Sequence, residues 1–366
     1  MSTKSILDNI ANWRAHLTMD MMSFLITSSI VYGFCVAIIK SNNDNIDNWA
    51  LIGIICTITC ATTFASNVIM THDAGGNDLL CVCEVVLGNL LGAFITPALI
   101  QMYTSNSLFA FGDPSSGGSI SALYGRVMKQ VGLSVFVPLF VGQCIQNIFP
   151  KPTSAYIGFL KKYNIKIGSY MLLLIMFSSF STAFYQKSFT SVSHVCIIFV
   201  CFFNLEVYLF FTGVSFLVAR PIWIIKLFPE EPVKGECSRL YYYSYKLFRP
   251  FYYSKRDTIC IIFCAPAKTA ALGVSLLTSQ YGTHKEHLGK LLVPLVLYQA
   301  EQVLTASIFV PILKKWASDE IEQEKFNAGT EDIATKGDES DLEKYPSTES
   351  DETEGQSFST EEQSTV

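Results

Sequence analysis

The chain consists mainly of long apolar runs separated by short polar segments. Eight of these runs contain about twenty residues each, enough to cross the hydrocarbon core of a bilayer as a helix. The runs are Thr18–Ile39, Ala50–Met70, Leu79–Tyr103, Val127–Phe149, Ile167–Tyr185, Val192–Ala219, Thr258–Tyr281 and Leu288–Leu313. The pattern therefore predicts an all-α polytopic membrane protein with eight spans.

Composition and cysteine usage favour the same class. Half of the residues are apolar and 16% are charged, whereas about a quarter of the residues of a soluble domain are charged. The first apolar run is too long for a cleavable secretory signal. Nearly all of the eleven cysteines lie inside apolar runs, which favours packing residues over a disulfide framework. Cys81-Val-Cys83 lacks the further ligands that a zinc site needs, so the sequence predicts no metal.

The distribution of Lys and Arg residues predicts the orientation of the spans. With eight spans, both termini and the even-numbered connections lie on the same side of the membrane. That side holds clearly more Lys and Arg residues than the other, mainly because of the connection 220–257. Positive charge is enriched on the cytosolic side of membrane proteins, so both termini are predicted to be cytosolic.

The seventh apolar run carries the most unusual polar residues of the chain. Pro266, Lys268 and Thr269 lie near its middle. A charged residue at the bilayer centre costs roughly 2.5–3.5 kcal/mol on insertion scales, and proline interrupts the helical hydrogen-bond ladder. Broken backbone at that depth requires surrounding protein or a watery cavity. Lys268 is therefore a predicted site residue; the alternative is that it snorkels or binds carbonyl groups freed by Pro266.

A weak internal repeat indicates a carrier. The second run contains Cys60-Ala-Thr-Thr-Phe-Ala-Ser-Asn67, and the seventh contains Cys264-Ala-Pro-Ala-Lys-Thr269. Both place a cysteine before a cluster of small and hydroxyl residues, and a polar-centred run follows each. Spans one to three thus resemble spans six to eight. Repeats of an odd number of spans are inverted in the membrane, as in alternating-access carriers.

Several motifs resemble a known family. In order along the chain they are Asn12-Trp-Arg-Ala-His16, Ser66-Asn-Val-Ile-Met70, Ala74-Gly-Gly-Asn77, Gly88-Asn-Leu-Leu-Gly92 and Pro266-Ala-Lys-Thr-Ala-Ala-Leu-Gly273. Between Asn12 and Trp316 the sequence resembles the bile acid:sodium symporter superfamily, in particular the branch of solute carrier family 10 member 7 and the fungal regulator of calcium homeostasis. The resemblance implies two inverted units of five helices, with two broken helices that cross.

The resemblance also implies the positions of the substrate and ion site. These are Thr62, Thr63, Ser66 and Asn67 on the second run, Asn89 on the third, and Cys264, Pro266, Lys268 and Thr269 on the seventh. Glu301 on the eighth run is added to the predicted site as a candidate partner of Lys268. Glu301 or Glu84 is predicted to pair with Lys268. No cofactor is implied.

Two departures from the family pattern change what is expected. The chain begins where the family's third helix begins, so eight of an expected ten spans are present. A gene model short at its 5′ end and a truncated, inactive paralogue are both compatible with this. Ala61 stands where relatives usually have proline, which leaves the geometry of the first crossover open.

Sodium coupling is doubtful because of Lys268. The bile acid carriers offer Glu and Gln oxygens to sodium where this chain has Cys264 and Lys268. Two positive charges about 4 Å apart repel by about 4 kcal/mol at an effective dielectric constant of about 20. Lys268 is therefore predicted to occupy the place of the cation or to take part in a proton-coupled cycle.

Two polar segments complete the organisation. Residues 1–316 form the predicted transmembrane domain, and its cytosolic loop 220–257 is rich in basic and aromatic residues. Residues 238–256 are predicted to lie against anionic lipid, and nucleic-acid binding is not expected. Residues 317–366 form an acidic tail that cannot bury a core and is predicted to be disordered. Kinases or calcium channels are its candidate partners.

Three functions are compatible with these features, and none is enzymatic. The first is a plasma-membrane carrier-like protein that restrains calcium influx, with or without transport of an unidentified small solute. The second is a secondary transporter of an organic anion, coupled to sodium or protons. The third is the truncated, inactive paralogue. An endomembrane location, the Golgi or the vacuole, is the alternative to the plasma membrane.

Overall fold

The computed structural model of the protein describes residues 9–112, 137–163, 167–185, 192–229, 238–281 and 285–320, and the single residues 129, 133, 190, 232 and 322. Every regular element among these residues is a helix. The chain divides into two units, Met1–Ser318 and Asp319–Val366, and the helices described below belong to the first. Most of the predicted tail 317–366 lies outside the described residues, so its disorder stays a prediction.

Thirteen helices make up the described part of the first unit. They are α1 (Trp13–Lys40, with a π-helical turn at Met21–Thr27), α2 (Asn48–Thr59), α3 (Ala65–Asp73), α4 (Asp78–Thr104), α5 (Val137–Ile148), α6 (Pro150–Lys162), α7 (Ile167–Tyr185), α8 (His194–Ala219), α9 (Ile222–Leu227), α10 (Arg239–Phe248), α11 (Lys255–Cys264), α12 (Ala270–Tyr281) and α13 (Lys285–Trp316). Short 3₁₀ turns follow α4 and α10.

Four helical stretches of the described residues are long and apolar enough to cross a membrane. They are Trp13–Lys40, Asp78–Thr104, His194–Leu227 and His287–Trp316, and they coincide with the first, third, sixth and eighth predicted spans. Part of the predicted span Val127–Phe149 lies outside the described residues. Its described end is α5, and a further helix, α6, begins at Pro150, which the hydropathy pattern did not predict. Proline suits the first position of a helix because its missing N–H group would be unpaired there.

The second apolar run is interrupted although it contains no proline. Helix α2 ends at Thr59, α3 begins at Ala65, and Cys60 between them has an extended backbone. The carbonyl groups of the interrupting segment are satisfied by other parts of the chain. Those of Thr59, Ala61 and Thr62 accept hydrogen bonds from Thr96 Oγ1 (2.7 Å), Thr269 N (2.9 Å) and Asn89 Nδ2 (3.1 Å), respectively. Tertiary partners therefore maintain this break without a proline.

The seventh run is interrupted at its proline, and side chains of α13 bind the freed backbone. Gln302 holds both backbone groups of Lys268, accepting from its N–H (2.8 Å) and donating to its carbonyl (2.7 Å). Tyr298 donates to the carbonyl of Pro266 (2.7 Å), and Gln299 accepts from the N–H of Ala270 (3.1 Å). The polar centre of the eighth run thus has a structural role at the second break.

Helix α2, which ends at the first break, packs closely against α13, whose side chains bind the second break. Gly53 allows the close approach: a Cβ atom at Gly53 would lie 2.7 Å from the Leu291 carbonyl oxygen and 3.0 Å from Pro294 Cγ. Asn204 of α8 donates to the Pro294 carbonyl (2.9 Å) on the same helix. Small residues at helix contacts serve in this way when lipid surrounds the protein and backbones must approach closely.

We expect Gly53→Ala to destabilise the protein by about 1–3 kcal/mol, because the added methyl group overpacks a backbone contact that cannot yield. The measurement is the midpoint of thermal unfolding in detergent, which is monitored as the loss of the monodisperse protein peak. Gly213→Ala is the matched control, since nothing lies within 4 Å of a Cβ atom at Gly213 and alanine is the better helix former. Equal midpoints for the two variants would contradict the close α2–α13 contact.

Candidate functional site

The two breaks lie directly against each other and are joined through Thr62. Its hydroxyl donates to the Cys264 carbonyl (2.8 Å) and accepts from Asn67 Nδ2 (2.7 Å). Asn89 of α4 donates to the Thr62 carbonyl and to the carbonyl of Val85 one turn earlier. Thr62, Asn67 and Asn89 are all buried. The structure therefore brings these three predicted residues together with Cys264 in one hydrogen-bonded group.

The remaining predicted residues of the second run lie at the start of α3. Ser66 donates to the Thr63 hydroxyl (3.2 Å), and both side chains are buried. On the opposite break, the backbone of Thr269 donates to Ala61, as described above, and its side chain is also buried. The predicted residues on these two segments are thus all buried at the crossing.

Lys268 is the only lysine among the described residues with a fully buried side chain, at 1% exposure. Its ammonium group donates to the carbonyl oxygen (2.8 Å) and to the hydroxyl (2.7 Å) of Ser23 in α1. The Phe24 ring centroid lies 5.7 Å away, close enough for a cation–π attraction. The partners of Lys268 therefore come from α1, and they are not carbonyl groups freed by Pro266.

The prediction that Glu301 or Glu84 pairs with Lys268 is wrong. Glu84 Oε2 lies 2.6 Å from His16 Nδ1. Glu301 contacts Cys201 of α8, and its Oε2 atom is buried without a hydrogen-bond partner. Successive residues of an α-helix point about 100° apart. Because Gln302 faces the second break, its neighbour Glu301 faces a different helix.

Asp20 lies near enough to Lys268 for its charge to attract the ammonium group, but the two form no ion pair within 4 Å. Asp20 and Glu84 border a small gap opposite Gly88 of α4. A Cβ atom at Gly88 would lie 3.5 Å from Asp20 Oδ1, 3.5 Å from Thr62 Cγ2 and 3.9 Å from Glu84 Oε1. The glycine thus leaves room between two carboxylates and the centre of the crossing.

The contact between His16 and Glu84 defines a proton position. His16 Nε2 lies 3.0 Å from the carbonyl oxygen of Asn9, which only accepts, so Nε2 carries a hydrogen. The short contact on Nδ1 also requires a hydrogen, either on the imidazole or on the Glu84 carboxyl group. One exchangeable proton is therefore held between these two buried side chains.

The residues of α1 were missed by sequence reasoning, although a signal exists. His16, Asp20, Ser23 and Thr27 are spaced four, three and four residues apart, which places them on one face of a helix. All four interrupt a run that is otherwise mainly apolar. A π-helical turn contains Ser23 and Thr27, and such turns are frequent at functional sites.

A small cavity lies beside the crossing. A cavity of about 20 Å³ is lined by Cys60, Ala61, Gly92, Ala93, Thr96, Gly273 and Leu276. This volume is enough for one water molecule, whereas pockets for organic ligands measure about 300–1,000 Å³. This cavity is therefore too small for an organic solute, and the polar groups described at the crossing bind mainly one another.

Comparison with known proteins assigns the family. A model of the SBF-like CPA transporter family matches residues 1–315. Solute carrier RCH1 of Saccharomyces cerevisiae is 68% identical over 345 residues, which cover 94% of this chain and 79% of the relative. Solute carrier RCH1 of Candida albicans is 56% identical over 343 residues, 92% of this chain and 82% of the relative.

A more distant relative agrees with the predicted branch. Sodium/bile acid cotransporter 7 of Mus musculus is 23% identical over 319 residues, which cover 86% of this chain and 79% of the relative. These names describe carriers, and none of them describes an enzyme. The resemblance deduced from the motifs is thus confirmed, and the chain is a multi-pass membrane protein that belongs to the SBF-like CPA transporter family.

Proposed function

We propose that the protein is a plasma-membrane solute carrier that restrains calcium entry into the cytosol by moving a small anionic solute through the crossing site. The observation that carries the proposal is the buried Lys268 ammonium group, which is held by Ser23 between two breaks in a protein of a transporter family. The link to calcium rests on the resemblance to the fungal regulator of calcium homeostasis.

An anionic solute follows from the charge of the site. Lys268 forms no ion pair within the described part of the chain, and an unpaired buried charge is costly. A bound anion, or loss of the lysine proton, relieves that cost. The positive charge of Lys268 attracts an anion and repels a sodium ion beside the ammonium group.

Proton coupling is supported by the groups around Lys268. Asp20 attracts the lysine through its charge, and Glu84, which borders the same gap at Gly88, holds a shared proton with His16. Binding an anion at Lys268 changes the field at these acids, so proton and solute movements are linked. Sodium coupling is the alternative in which Asp20 and Glu84 provide the oxygen ligands.

Many alternating-access carriers are built from inverted repeats, and the way in which the two breaks are supported favours such a repeat here. Each break is held by polar side chains of the long helix that follows it along the chain. Asn89 and Thr96 of α4 bind the first break, whereas Tyr298, Gln299 and Gln302 of α13 bind the second. We infer two related units, as in a ten-helix family arrangement.

The cytosolic loop is proposed to lie on anionic lipid. Helix α10 packs through Tyr241 and Tyr245 against Phe228. Its other face exposes Leu240, Tyr243 and Leu247, beside basic residues at its ends. This combination suits a headgroup layer. Both termini are then cytosolic, and the acidic tail is accessible to kinases or to a calcium channel; a Golgi or vacuolar location remains the alternative to the plasma membrane.

Lys268→Met is expected to abolish the restraint on calcium entry, because the methionine side chain keeps the volume but cannot attract an anion or exchange a proton. The measurement is cytosolic calcium after an extracellular calcium pulse in cells that lack the gene and express each variant at equal surface level. Lys290→Met is the matched control, since Lys290 pairs with Asp47 away from the crossing. A Lys268→Met variant that restrains calcium like the wild type would contradict the site assignment.

The organic-anion alternative is separated from calcium regulation by a second outcome. If deletion leaves the calcium transient unchanged, the regulatory role fails. Uptake of taurocholate into proteoliposomes under an imposed proton or sodium gradient then tests for a carrier unrelated to calcium.

Leu240→Trp is expected to show additional fluorescence quenching by brominated lipid in nanodiscs, and more in anionic than in neutral nanodiscs, because Leu240 lies on the proposed lipid-facing side of α10. Each measurement is taken as the difference from the wild type, which contains four tryptophans. Tyr241→Trp on the packed face is the control. Equal quenching of both variants, or none, would refute the docking of α10.

A further inference from the structure

Three buried thiol groups meet beside the second break. The sulfur atom of Cys264 lies 3.6 Å from the sulfur of Cys81 on α4 and 3.9 Å from the sulfur of Cys260. All three sulfur atoms lie within 4.8 Å of one another. The three side chains are 0–1% exposed. Two helices distant in sequence thus place three soft ligand atoms around one point.

The local sequence explains why these ligands were missed. Cys260 and Cys264 are four residues apart on α11, so they share one face of the helix. Cys81 and Cys83 are two residues apart on α4 and do not face each other. The motif Cys81-Val-Cys83, which by itself predicted no metal, contributes one ligand, and the fold supplies the other two.

Cys264 links this cluster to the crossing without sharing its ligand atom. Its thiol faces Cys81 and Cys260, whereas its carbonyl oxygen accepts the hydrogen bond of Thr62. Cys264, which was predicted as an ion-binding residue, therefore takes part in the crossing through its backbone carbonyl. Its sulfur atom lies in the cluster of three thiols.

The geometry fits a three-coordinate ion. Sulfur atoms that surround an ion at about 2.3 Å, the usual metal–thiolate distance, lie about 4 Å apart in a trigonal plane. Thiolates select Cu(I) and Zn²⁺. Structural zinc requires four ligands, but no fourth His, Cys, Asp or Glu ligand joins the group among the described residues. The nearby Thr71 hydroxyl donates to Cys81 at 3.5 Å and is a weak substitute.

We propose that Cys81, Cys260 and Cys264 form a three-thiolate site for Cu(I). Each thiol that binds the ion releases its proton to solvent, so binding is coupled to pH. Apolar neighbours, including Ala15, Met19, Leu80, Val85 and Ile261, surround the cluster and exclude water from the ion. The bound ion ties α4 to the end of α11 and thereby stabilises the crossing.

The test is a Cu(I) titration of the detergent-solubilised full chain without oxygen, against a competing chromophoric chelator. We expect one tightly bound ion, and X-ray absorption at the copper edge should show three sulfur ligands at about 2.3 Å. Cys81→Ser should weaken binding by roughly tenfold or more, because a soft ion loses one thiolate ligand. Cys81→Ser combined with Cys264→Ser should abolish tight binding.

Cys35→Ser is the matched control, since Cys35 is equally buried but lies outside the cluster. Its Cu(I) affinity should equal that of the wild type. Binding that persists in the double variant, or a copper site without sulfur ligands, would show an adventitious ion only. Tighter binding of Zn²⁺ with four ligands would overturn the choice of Cu(I).

A second readout does not depend on affinity. Saturation with Cu(I) should raise the unfolding midpoint of the wild type and of Cys35→Ser, because a ligand that binds only the folded state stabilises it. The midpoint of Cys260→Ser should rise less. Equal rises of the midpoint in all variants would show that Cu(I) stabilises the protein without these thiols, which would then be only packing residues.

Discussion

The structure depends on one constraint: the hydrocarbon core of a membrane offers no water to hydrogen-bond a free backbone group. A helix satisfies this constraint by itself, whereas a broken helix cannot. At the two breaks, the free backbone groups form hydrogen bonds with the opposite break and with side chains of the helices that follow. Thr62 and Thr269 bind across the crossing. Because each break needs the other, the crossing forms as a unit.

This constraint also explains the composition of the long helices. Thr96 and Asn89 on α4, and Tyr298, Gln299 and Gln302 on α13, are polar residues inside otherwise apolar spans. Their partners are backbone groups, so their cost in lipid is offset by the unpaired donors and acceptors that they eliminate. Lys268 and its partner Ser23 are different, since neither repairs a break. The polar residues thus separate into a scaffold and a charged site.

Hydropathy located the long helices well, because about twenty apolar residues suffice to identify a span whatever its neighbours. The interruption after Thr59 was harder to predict, since the sequence shows no proline there and the cause lies in partners from α4 and the second break. The pairing of Lys268 failed for a related reason. Lys268 binds Ser23, 245 residues away along the chain, and the direction of Glu301 around α13 is set by packing. The polar face of α1, in contrast, could have been recognised from residue spacing alone, although the sequence analysis missed it.

The double hydrogen bond of Gln302 has an evolutionary consequence. Gln302 binds the N–H and the carbonyl of residue 268, which every amino acid except proline possesses in full. The backbone at this point is therefore held in the same way whatever side chain it carries. Mutation at 268 changes the charge presented to the crossing without removing the support of the break. Relatives with this arrangement can therefore change the class of solute that they bind by a single substitution at residue 268.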